Sequence, residues 1–465
     1  MLTRARGFLQ HFWTHHHQQV KDSAMNTLFV VVIVGVLSLF LAFADGPGRN
    51  ITVVTMLASS LKNISQQAFD TVNFVQSGMA TSGKTDQKVF LIDLDQQTVQ
   101  QAATQQAAQS RCEFQDPRKC EAQGMPYFNR NALAGILSNL SRFPEKPQAV
   151  FIDLDLSYPD PYSDGKALVQ ALKTAPYPVF LPVQKHSRPG TFVLDGRIYP
   201  MQQFPSLCFV DHHLLLDEGD FKVRQLANPT EGRPSVAEAL YRVGRGEQVK
   251  TPDRICNAAG QPASGSMEVG ALVYKRLNRN TELQFWEGLE VRKGTDFLNH
   301  PTEQHLFDPG LVLIGRTDPD SGDNYYTPIS SFLKTPTSGV EVHVTSLMNL
   351  LSYNHFGKNA AGIYVLLFAA VTLFALQLAA TLLIDSAFKL KNLFGDFLEI
   401  VMVWLLMLIP ASAILHGQGY FLDYTLPLVA LYLLRTFMKL RNPEEASEPA
   451  SDPPENPTPP EEARA

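Results

Sequence analysis

The sequence predicts an α/β domain with a mostly parallel sheet, joined to four transmembrane α-helices, one N-terminal and three C-terminal. Two apolar runs of nearly the same sequence, VFLIDLD at residues 89–95 and AVFIDLD at residues 149–155, flank a stretch of helical periodicity at residues 131–142. Continuous apolar runs of this length suit strands that are buried on both faces, so the pattern indicates a βαβ unit. A third run, LVLIG at residues 311–315, is predicted to be another strand of the same sheet.

Residues 26–44 form the first predicted membrane span. They read NTLFVVVIVGVLSLFLAFA, nineteen residues without a charge. At about 1.5 Å of rise per residue they nearly match a hydrocarbon core of roughly 30 Å. A signal peptide is the alternative, but its apolar region is usually only about 7–15 residues long. Three more spans are predicted at residues 360–384, 398–415 and 420–438.

The distribution of Lys and Arg predicts the orientation of these spans, because basic residues accumulate on the cytoplasmic side. If four helices cross, three clusters of Lys and Arg fall on one side: Arg4, Arg6 and Lys21; Lys389 and Lys391; Arg435, Lys439 and Arg441. We therefore expect a multi-pass protein of the cell inner (plasma) membrane with both termini cytoplasmic. Residues 1–25 form the cytoplasmic N-terminal segment, and residues 45–359 are extracytoplasmic (periplasmic). Residues 442–465, rich in Pro and acidic side chains, are predicted to be a disordered cytoplasmic tail.

All four cysteines lie in the predicted outer domain, at positions Cys112, Cys120, Cys208 and Cys256. An even number of cysteines in an oxidising compartment predicts disulfide bonds, with three possible pairings. Metal binding is the weaker interpretation, because the sequence contains no Cys-x-x-Cys spacing. We assign no metal site and no cofactor.

Local patterns predict further elements of the outer domain. They are a helix at residues 51–77, strands at 179–183 and 192–194, a short helix at 236–241 and a helix at 344–351 that leads into the second span. Residues 204–307 carry clusters of Gly, Pro and Arg, and their elements are not predicted.

Five segments follow one another in a characteristic order. They read VFLIDLD, MPYFNRNALAGILSNL, AVFIDLDLSYPD, VLIGRTDPDSGDNYYTP and SGVEVHVTSLMNLL. Their order, with one membrane helix before and three after, resembles the type-two CHASE family, the cyclase- and histidine-kinase-associated sensory extracellular domains. The resemblance covers about residues 45–438 and implies an extracytoplasmic sensor.

The chain departs from that family pattern in a few places. Ser338 stands where the family usually has Pro, Val344 stands where it has Ala, and residues 204–307 look specific to this protein. Family members generally continue into a cyclase, kinase or similar cytoplasmic domain, whereas the tail here is predicted to be disordered. The resemblance therefore implies that a signal passes to a separate partner protein.

Six residues are candidate ligand-binding side chains because ligands gather beyond the carboxyl ends of parallel strands. They are Asp93, Asp153, Arg130, Asp323, Thr327 and His343. Carboxylates at strand ends need a cation, a hydrogen-bond donor or a raised pKa, although capping a helix or orienting a loop is the structural alternative. Arg130 is expected to hold an anionic ligand or to pair with one of the aspartates. His343 is either a pH-sensitive or ligand-binding group or a hydrogen-bonded core histidine.

Together these patterns predict an integral membrane sensor that passes a small-molecule or envelope signal to a separate cytoplasmic or membrane partner. The alternative is a structural subunit of a membrane complex whose outer domain binds another protein. Asp-x-Asp after a strand also resembles the nucleophile motif of haloacid-dehalogenase phosphatases. Here Gln96-Gln97-Thr98 replaces their Gly-Thr continuation, so we predict that the protein is not an enzyme. No nucleic acid is expected among its partners.

The predicted topology can be tested with reporter fusions. Fusions after Met25 and Leu440 should both report the cytoplasm, and a fusion near Asn299 should report the outer side, because the basic flanks lie at the two termini. An external C-terminus would refute the four-span topology.

Overall fold

The computed structural model describes residues 51–77, 85–94, 130–160, 164–184, 190–217, 220–225, 232–262, 288–299, 310–317 and 323–352, with isolated positions elsewhere. The chain divides into two compact units, and the elements from the end of the first helix onward belong to the unit that contains Gln67–Gly362. No helix within the described ranges has both the length and the apolar composition needed to cross a membrane. The predicted spans at 360–384, 398–415 and 420–438, most of 26–44, and the tail at 442–465 lie outside those ranges.

Helices and strands alternate along the described chain. The helices are α1 (Thr52–Ser77), α2 (Arg130–Arg142), α3 (Lys166–Thr174), α4 (Val236–Gly244), α5 (Gly294–Asn299), α6 (Ser330–Leu333) and α7 (Gly339–Ser352). The strands are β1 (Val89–Asp93), β2 (Ala149–Ile152), β3 (Val179–Pro182), β4 (Thr191–Leu194), β5 (Arg197–Pro200), β6 (Leu207–Val210), β7 (Val249–Lys250), β8 (Ile255–Cys256), β9 (Leu289–Lys293), β10 (Leu311–Gly315), β11 (Asn324–Tyr325) and β12 (Thr337–Ser338).

Six of these strands form one parallel sheet in the order β6-β3-β2-β10-β1-β9. This confirms the predicted α/β class and the predicted membership of β1, β2 and β10 in one sheet. The two repeated strands are not neighbours, however, because β10 lies between them and Leu313 pairs with both Leu91 and Phe151. The predicted strand at residues 192–194 is β4, which pairs with β5 in a separate hairpin.

Every residue of β1, β2, β6 and β10 is buried, which explains why these strands read as continuous apolar runs. Alternate side chains point to opposite faces of the sheet. One face of the sheet packs on α4 and α7, and the other packs on α2, α3 and α5. The domain is therefore a three-layer α/β/α structure.

Neighbouring strands in the middle of the sheet lead to opposite faces. The chain passes from β2 to α3 on one face, whereas it passes from β10 to α7 on the other. A crevice is expected beyond the carboxyl ends of strands at such a switch point, and ligands of open α/β sheets bind there. The residues that follow β2 and β10 are therefore candidates for a binding site.

Two glycines allow the start of α7 to lie close to this edge of the sheet. A Cβ atom on Gly315 would lie 2.7 Å from Val340, and a Cβ atom on Gly339 would collide with the Asp323 carboxyl group. Ser338, just before α7, donates hydrogen bonds from its N–H and Oγ to Glu341, each at 3.0 Å. This Ser-x-x-Glu capping arrangement gives Ser338 a role at the position where the family resemblance led us to expect proline.

Cys208 in β6 and Cys256 in β8 form a disulfide bond with their Cα atoms 6.3 Å apart. Both residues are buried in the core on the α4 side of the sheet. The bond closes a sequence separation of 48 residues and ties the small β7–β8 hairpin to the main sheet. The other two predicted bridge residues, Cys112 and Cys120, lie outside the described ranges.

Replacing Cys208 and Cys256 with alanine should lower the free energy of unfolding by about 2–5 kcal/mol, as loss of a native bridge generally does. The measurement is chemical denaturation of the purified full chain in detergent, with and without reductant. A Cys112→Ala/Cys120→Ala variant is the matched control and should keep most of its sensitivity to reductant. If the Cys208→Ala/Cys256→Ala variant is as stable as the oxidised wild type, the bridge contributes no stability.

Candidate functional site

The candidate site lies beyond the carboxyl end of β2, where Asp153 follows the last strand residue. Its backbone N–H donates to the carbonyl of Ile314 at 2.8 Å, so parallel pairing with β10 determines where Asp153 lies. The residue is half-buried, and its carboxyl group makes no hydrogen bond or ion pair with any described residue. Among the described residues, Asp153 is therefore a carboxyl group without a counter-cation.

Asp323 brings a second carboxyl group to this edge. It stands just before β11, and the N–H of Gly339 donates to its carbonyl oxygen at 2.9 Å. The residue is exposed overall, but its carboxyl group faces Gly339 and accepts a hydrogen bond from the Tyr325 hydroxyl. The β11–β12 hairpin thus places an acid and a phenol over the start of α7.

The two carboxyl groups repel each other. Burial raises the pKa of Asp153 well above its ordinary value, and the nearby charge of Asp323 raises it further. Burial also raises the pKa of Asp323, although the Tyr325 hydroxyl and His212 act in the opposite direction. Burial and the two carboxylates raise the pKa of Tyr325 as well, so this phenol stays protonated and remains a donor. A cation or a proton at this edge would relieve the repulsion.

Two histidines lie near this edge of the sheet, and they act electrostatically on each other. His343 in α7 is buried, with its ring against Phe151 at 5.5 Å between centroids. Burial, reinforced by the neighbouring His212, lowers the pKa of His343 to about 3, so the ring is neutral near pH 7. Burial and the neighbouring His213 lower the pKa of His212, despite the opposing charge of Asp211. His343 is thus a neutral core histidine, and it makes no hydrogen bond with a described residue.

The other predicted site residues hold loops in place. Asp93 accepts a hydrogen bond from the N–H of Thr317 at 3.2 Å, which fixes the turn after β10. Thr327 is buried in a cluster of hydroxyl groups, with its Oγ1 2.8 Å from that of Ser330. It therefore anchors α6 and does not face the carboxyl pair.

Arg130 stabilises the loop that follows β2. Its N–H donates to Asp160 at 2.8 Å, and its guanidinium group donates to the carbonyl oxygens of Tyr158 at 3.1 Å and Asp155 at 3.4 Å. Asp155 itself accepts from the N–H and Oγ of Ser157, as expected of an acid that orients a loop. Of the six predicted residues, Asp153 and Asp323 come together, His343 lies in the core beside Phe151, and Asp93, Arg130 and Thr327 hold loops.

Three further residues at this edge of the sheet, Asp211, His212 and Tyr325, are not among the predicted site residues. A signal for the first two was present, because Asp211 and His212 directly follow the apolar run LCFV in the same way that Asp153 follows AVFI. That run is only four residues long and lies in the segment whose elements were not predicted. Tyr325 lies in the polar turn after β10, and nothing in the sequence alone marked its hydroxyl group.

Comparison with known proteins assigns most of the chain to one family. A family model described as the CHASE2 domain matches residues 50–384. No curated protein and no solved structure matches the chain. The match includes the sheet, the carboxyl pair and α7, together with the predicted second membrane span.

The raised pKa of Asp153 predicts how a variant should behave. A carboxyl group whose pKa is higher in the folded state destabilises the fold as pH rises from its ordinary value of 3.8 through its folded pKa. Asp153→Asn should therefore raise the unfolding midpoint at neutral pH, and the gain should vanish near pH 3. The measurement is thermal unfolding of the full chain at a series of pH values.

Asp164→Asn is the matched control for this experiment. Asp164 is exposed, and its hydrogen bonds with Lys166 lower its pKa, so its replacement should give no gain at neutral pH. Equal midpoints of wild type and Asp153→Asn at neutral pH would show that the Asp153 carboxyl group is not destabilised by its surroundings.

Proposed function

Because the chain belongs to the CHASE2 domain family of extracellular sensory domains, we propose that it is a membrane-anchored sensor whose ligand binds beside Asp153 and Asp323. In this proposal the α/β domain lies outside the cell membrane. The predicted spans at residues 26–44 and 360–438 hold it there, and the signal passes to a separate partner protein. Both the membrane topology and the partner are parts of the proposal.

The observation that carries the proposal is the position of α7. This helix carries His343, whose charged neighbours are His212 and Asp211, and its first residue, Gly339, lies against the Asp323 carboxyl group. It ends at Ser352, only a few residues before the predicted span that begins at residue 360. A change at the carboxyl pair therefore acts on the same helix that leads to the membrane.

The segment from Asp323 to Ser338 also reaches the end of α1, the helix that follows the first predicted span. Phe332 stacks on Phe74 of α1 with the ring centroids 4.4 Å apart. Tyr326 pairs with Lys222 through a backbone bridge, and Lys222 forms an ion pair with Asp70 of α1. One short segment thus contains Asp323 and contacts both α1 and α7, the helices that follow and precede the predicted spans in the sequence.

A buried ion pair fixes α1 to the domain. Arg224 donates two hydrogen bonds to Asp70, each at 2.9 Å, and both side chains are buried. The guanidinium group also pairs with Asp217 and Asp220. Such a bidentate pair imposes a defined orientation on the last turns of α1. A rigid attachment of this kind is what transmission of a displacement requires.

The chemistry of the site indicates the class of ligand. Two neighbouring carboxyl groups attract a cation, here with the charge of Asp323 raising the pKa of Asp153, and oxygen ligands suit Ca²⁺ or Mg²⁺. A protonated amine would satisfy the same groups through hydrogen bonds to the carboxylates. An anion is disfavoured, because the site presents two carboxyl groups and no described Lys or Arg side chain forms an ion pair with Asp153.

One observation favours the alternative, a structural subunit that binds another protein. Phe221 and Tyr326 are 68% and 59% exposed, and they lie on neighbouring segments together with the exposed Leu216. Exposed aromatic and aliphatic side chains grouped in this way are typical of protein-binding surfaces. This surface borders the same Asp323–Ser338 segment, so a bound protein would act on the same helices.

The sensor is tested by thermal unfolding of the purified full chain with Ca²⁺, Mg²⁺ and spermidine. A ligand at about 100 times its Kd should stabilise the wild type by roughly 2.7 kcal/mol. Asp153→Asn should keep its circular dichroism spectrum and lose this gain, because one of the two carboxyl groups is then neutral. Asp164→Asn, which replaces an exposed carboxyl group paired with Lys166, should behave as wild type.

The alternative function predicts a different pattern in the same experiment. If none of the three cations stabilises the wild type, the carboxyl pair is not a cation site, and the structural subunit becomes the better account. Stabilisation that survives in Asp153→Asn would place the cation elsewhere on the chain.

A further inference from the structure

The chain leaves β6 through Asp211, His212 and His213, and we propose that these three side chains bind a divalent transition-metal ion of the zinc class. One potential ligand atom from each side chain lies within 4.8 Å of the other two. The inference goes beyond the proposed function, because it concerns other side chains and another kind of ion than the Asp153–Asp323 pair.

Asp211 is held rigidly by the backbone around it. The residue is buried, its N–H donates to the carbonyl of Pro234 at 3.0 Å, and its carbonyl accepts from Val236 at 3.1 Å. Ser235, which pairs with Asp211 in a backbone bridge, caps α4 by accepting from the N–H of Glu238. The carboxylate therefore projects from the junction of β6 and α4 in one orientation, as a preorganised ligand should.

His213 already lies against this carboxylate. Its Nδ1 is 2.6 Å from Oδ1 of Asp211, and its backbone N–H donates to the same oxygen at 3.0 Å. Ligands of tetrahedral zinc, at bond lengths of about 2.0–2.2 Å, lie roughly 3.3 Å apart. The distance between Nδ1 of His213 and Oδ1 of Asp211 must therefore increase by less than about 1 Å. The His213 side chain is 55% exposed, so it can move by this amount. The ring proton shifts to Nε2, and Nδ1 then offers its lone pair.

His212 contributes a buried ring nitrogen that lacks a partner. Its Nδ1 is shielded from solvent and forms no hydrogen bond within the described structure. A buried polar atom without a partner is destabilising, and its presence calls for an explanation such as an ion. The ring lies beside that of His213 at 4.8 Å between centroids, so both imidazoles can reach one ion.

The donor set and the surrounding charges select the class of ion. Two imidazoles and one carboxylate suit zinc and its transition-metal neighbours, whereas Ca²⁺ and Mg²⁺ prefer oxygen ligands alone. Asp155 and Asp323 lie near enough to act electrostatically on His212, and their negative charge favours a bound cation. Three protein ligands leave a fourth position for solvent, which is typical of sites where the ion or its solvent ligand exchanges.

The test is calorimetric titration of Zn²⁺ into the full chain in detergent after removal of metals with a chelator. We expect one equivalent of zinc to bind at this site in the wild type. His213→Gln should weaken that binding by more than about 10-fold, the loss that even outer-shell changes produce. This side chain is exposed, so its replacement should leave the fold unchanged, which circular dichroism would verify. His212→Gln should have the same effect, and Co²⁺ should give the absorption of a low-coordinate site only when both histidines are present.

A second variant separates this site from the histidines near the N-terminus. A chain with His15, His16 and His17 replaced by alanine should keep the equivalent that His213→Gln loses. Zinc binding that is unchanged in His213→Gln and His212→Gln would overturn the inference. So would zinc binding that disappears with the N-terminal histidines. Neither result depends on whether Ca²⁺, Mg²⁺ or spermidine stabilises the chain through Asp153.

Discussion

The parallel pairing of β2 with β10 is the constraint on which the candidate site depends. Because parallel strands present their carboxyl ends at one edge, the residues that follow β2, β6 and β10 all emerge on the same side of the sheet. β10 continues to α7 on one face while β2 continues to α3 on the other, so the chain opens a crevice between them. Asp153, His212 and Asp323 meet there although they are far apart in sequence.

The site has an energetic cost that the rest of the domain offsets. A half-buried carboxyl group that no described cation pairs with, and a neutral buried histidine, both lower stability relative to apolar residues. The continuous apolar layers on both faces of the sheet, the disulfide of β6 and the bidentate Arg224–Asp70 pair supply stability elsewhere. Destabilising groups kept within an otherwise consistent fold are typical of functional sites. This contrast is a physical reason to regard the edge as a binding site.

The sequence alone predicts the central part of the fold but not its assembly. The runs that form β1, β2 and β10 are buried on both faces, so their apolar continuity was visible, and α2 and α7 follow from helical periodicity. The insertion of β10 between β1 and β2 was not predictable, since the order of parallel strands depends on contacts between distant segments. The strand β6 is only four residues long and lies in a region rich in Gly, Pro and Arg. For this reason β6 was not predicted, and Asp211 and His212 were not recognised as residues at a strand end.

For the site, the sequence predicts which residues end strands but not what each side chain contacts. Asp93 and Asp153 occupy equivalent places in the repeated motif, yet the Thr317 N–H donates to Asp93, whereas no described residue donates to the Asp153 carboxyl group. From the sequence, Arg130 could equally bind an anionic ligand or pair with an aspartate. In the structure its guanidinium group donates a hydrogen bond to the loop after β2. Such differences arise from the turns after β2 and β10, where packing at the sheet edge overrides local pattern.

The central claim is that a change at the carboxyl pair alters both α1 and α7, the helices next to the predicted spans in the sequence. Hydrogen exchange of the full chain, compared between wild type and Asp153→Asn at neutral pH, tests it most directly, because the variant removes the repulsion at the site without any ligand. The account predicts slower exchange across the Asp323–Ser338 segment, in α7 and in the last turns of α1, with the β4–β5 hairpin unchanged. A difference confined to the residues around Asp153 would contradict it.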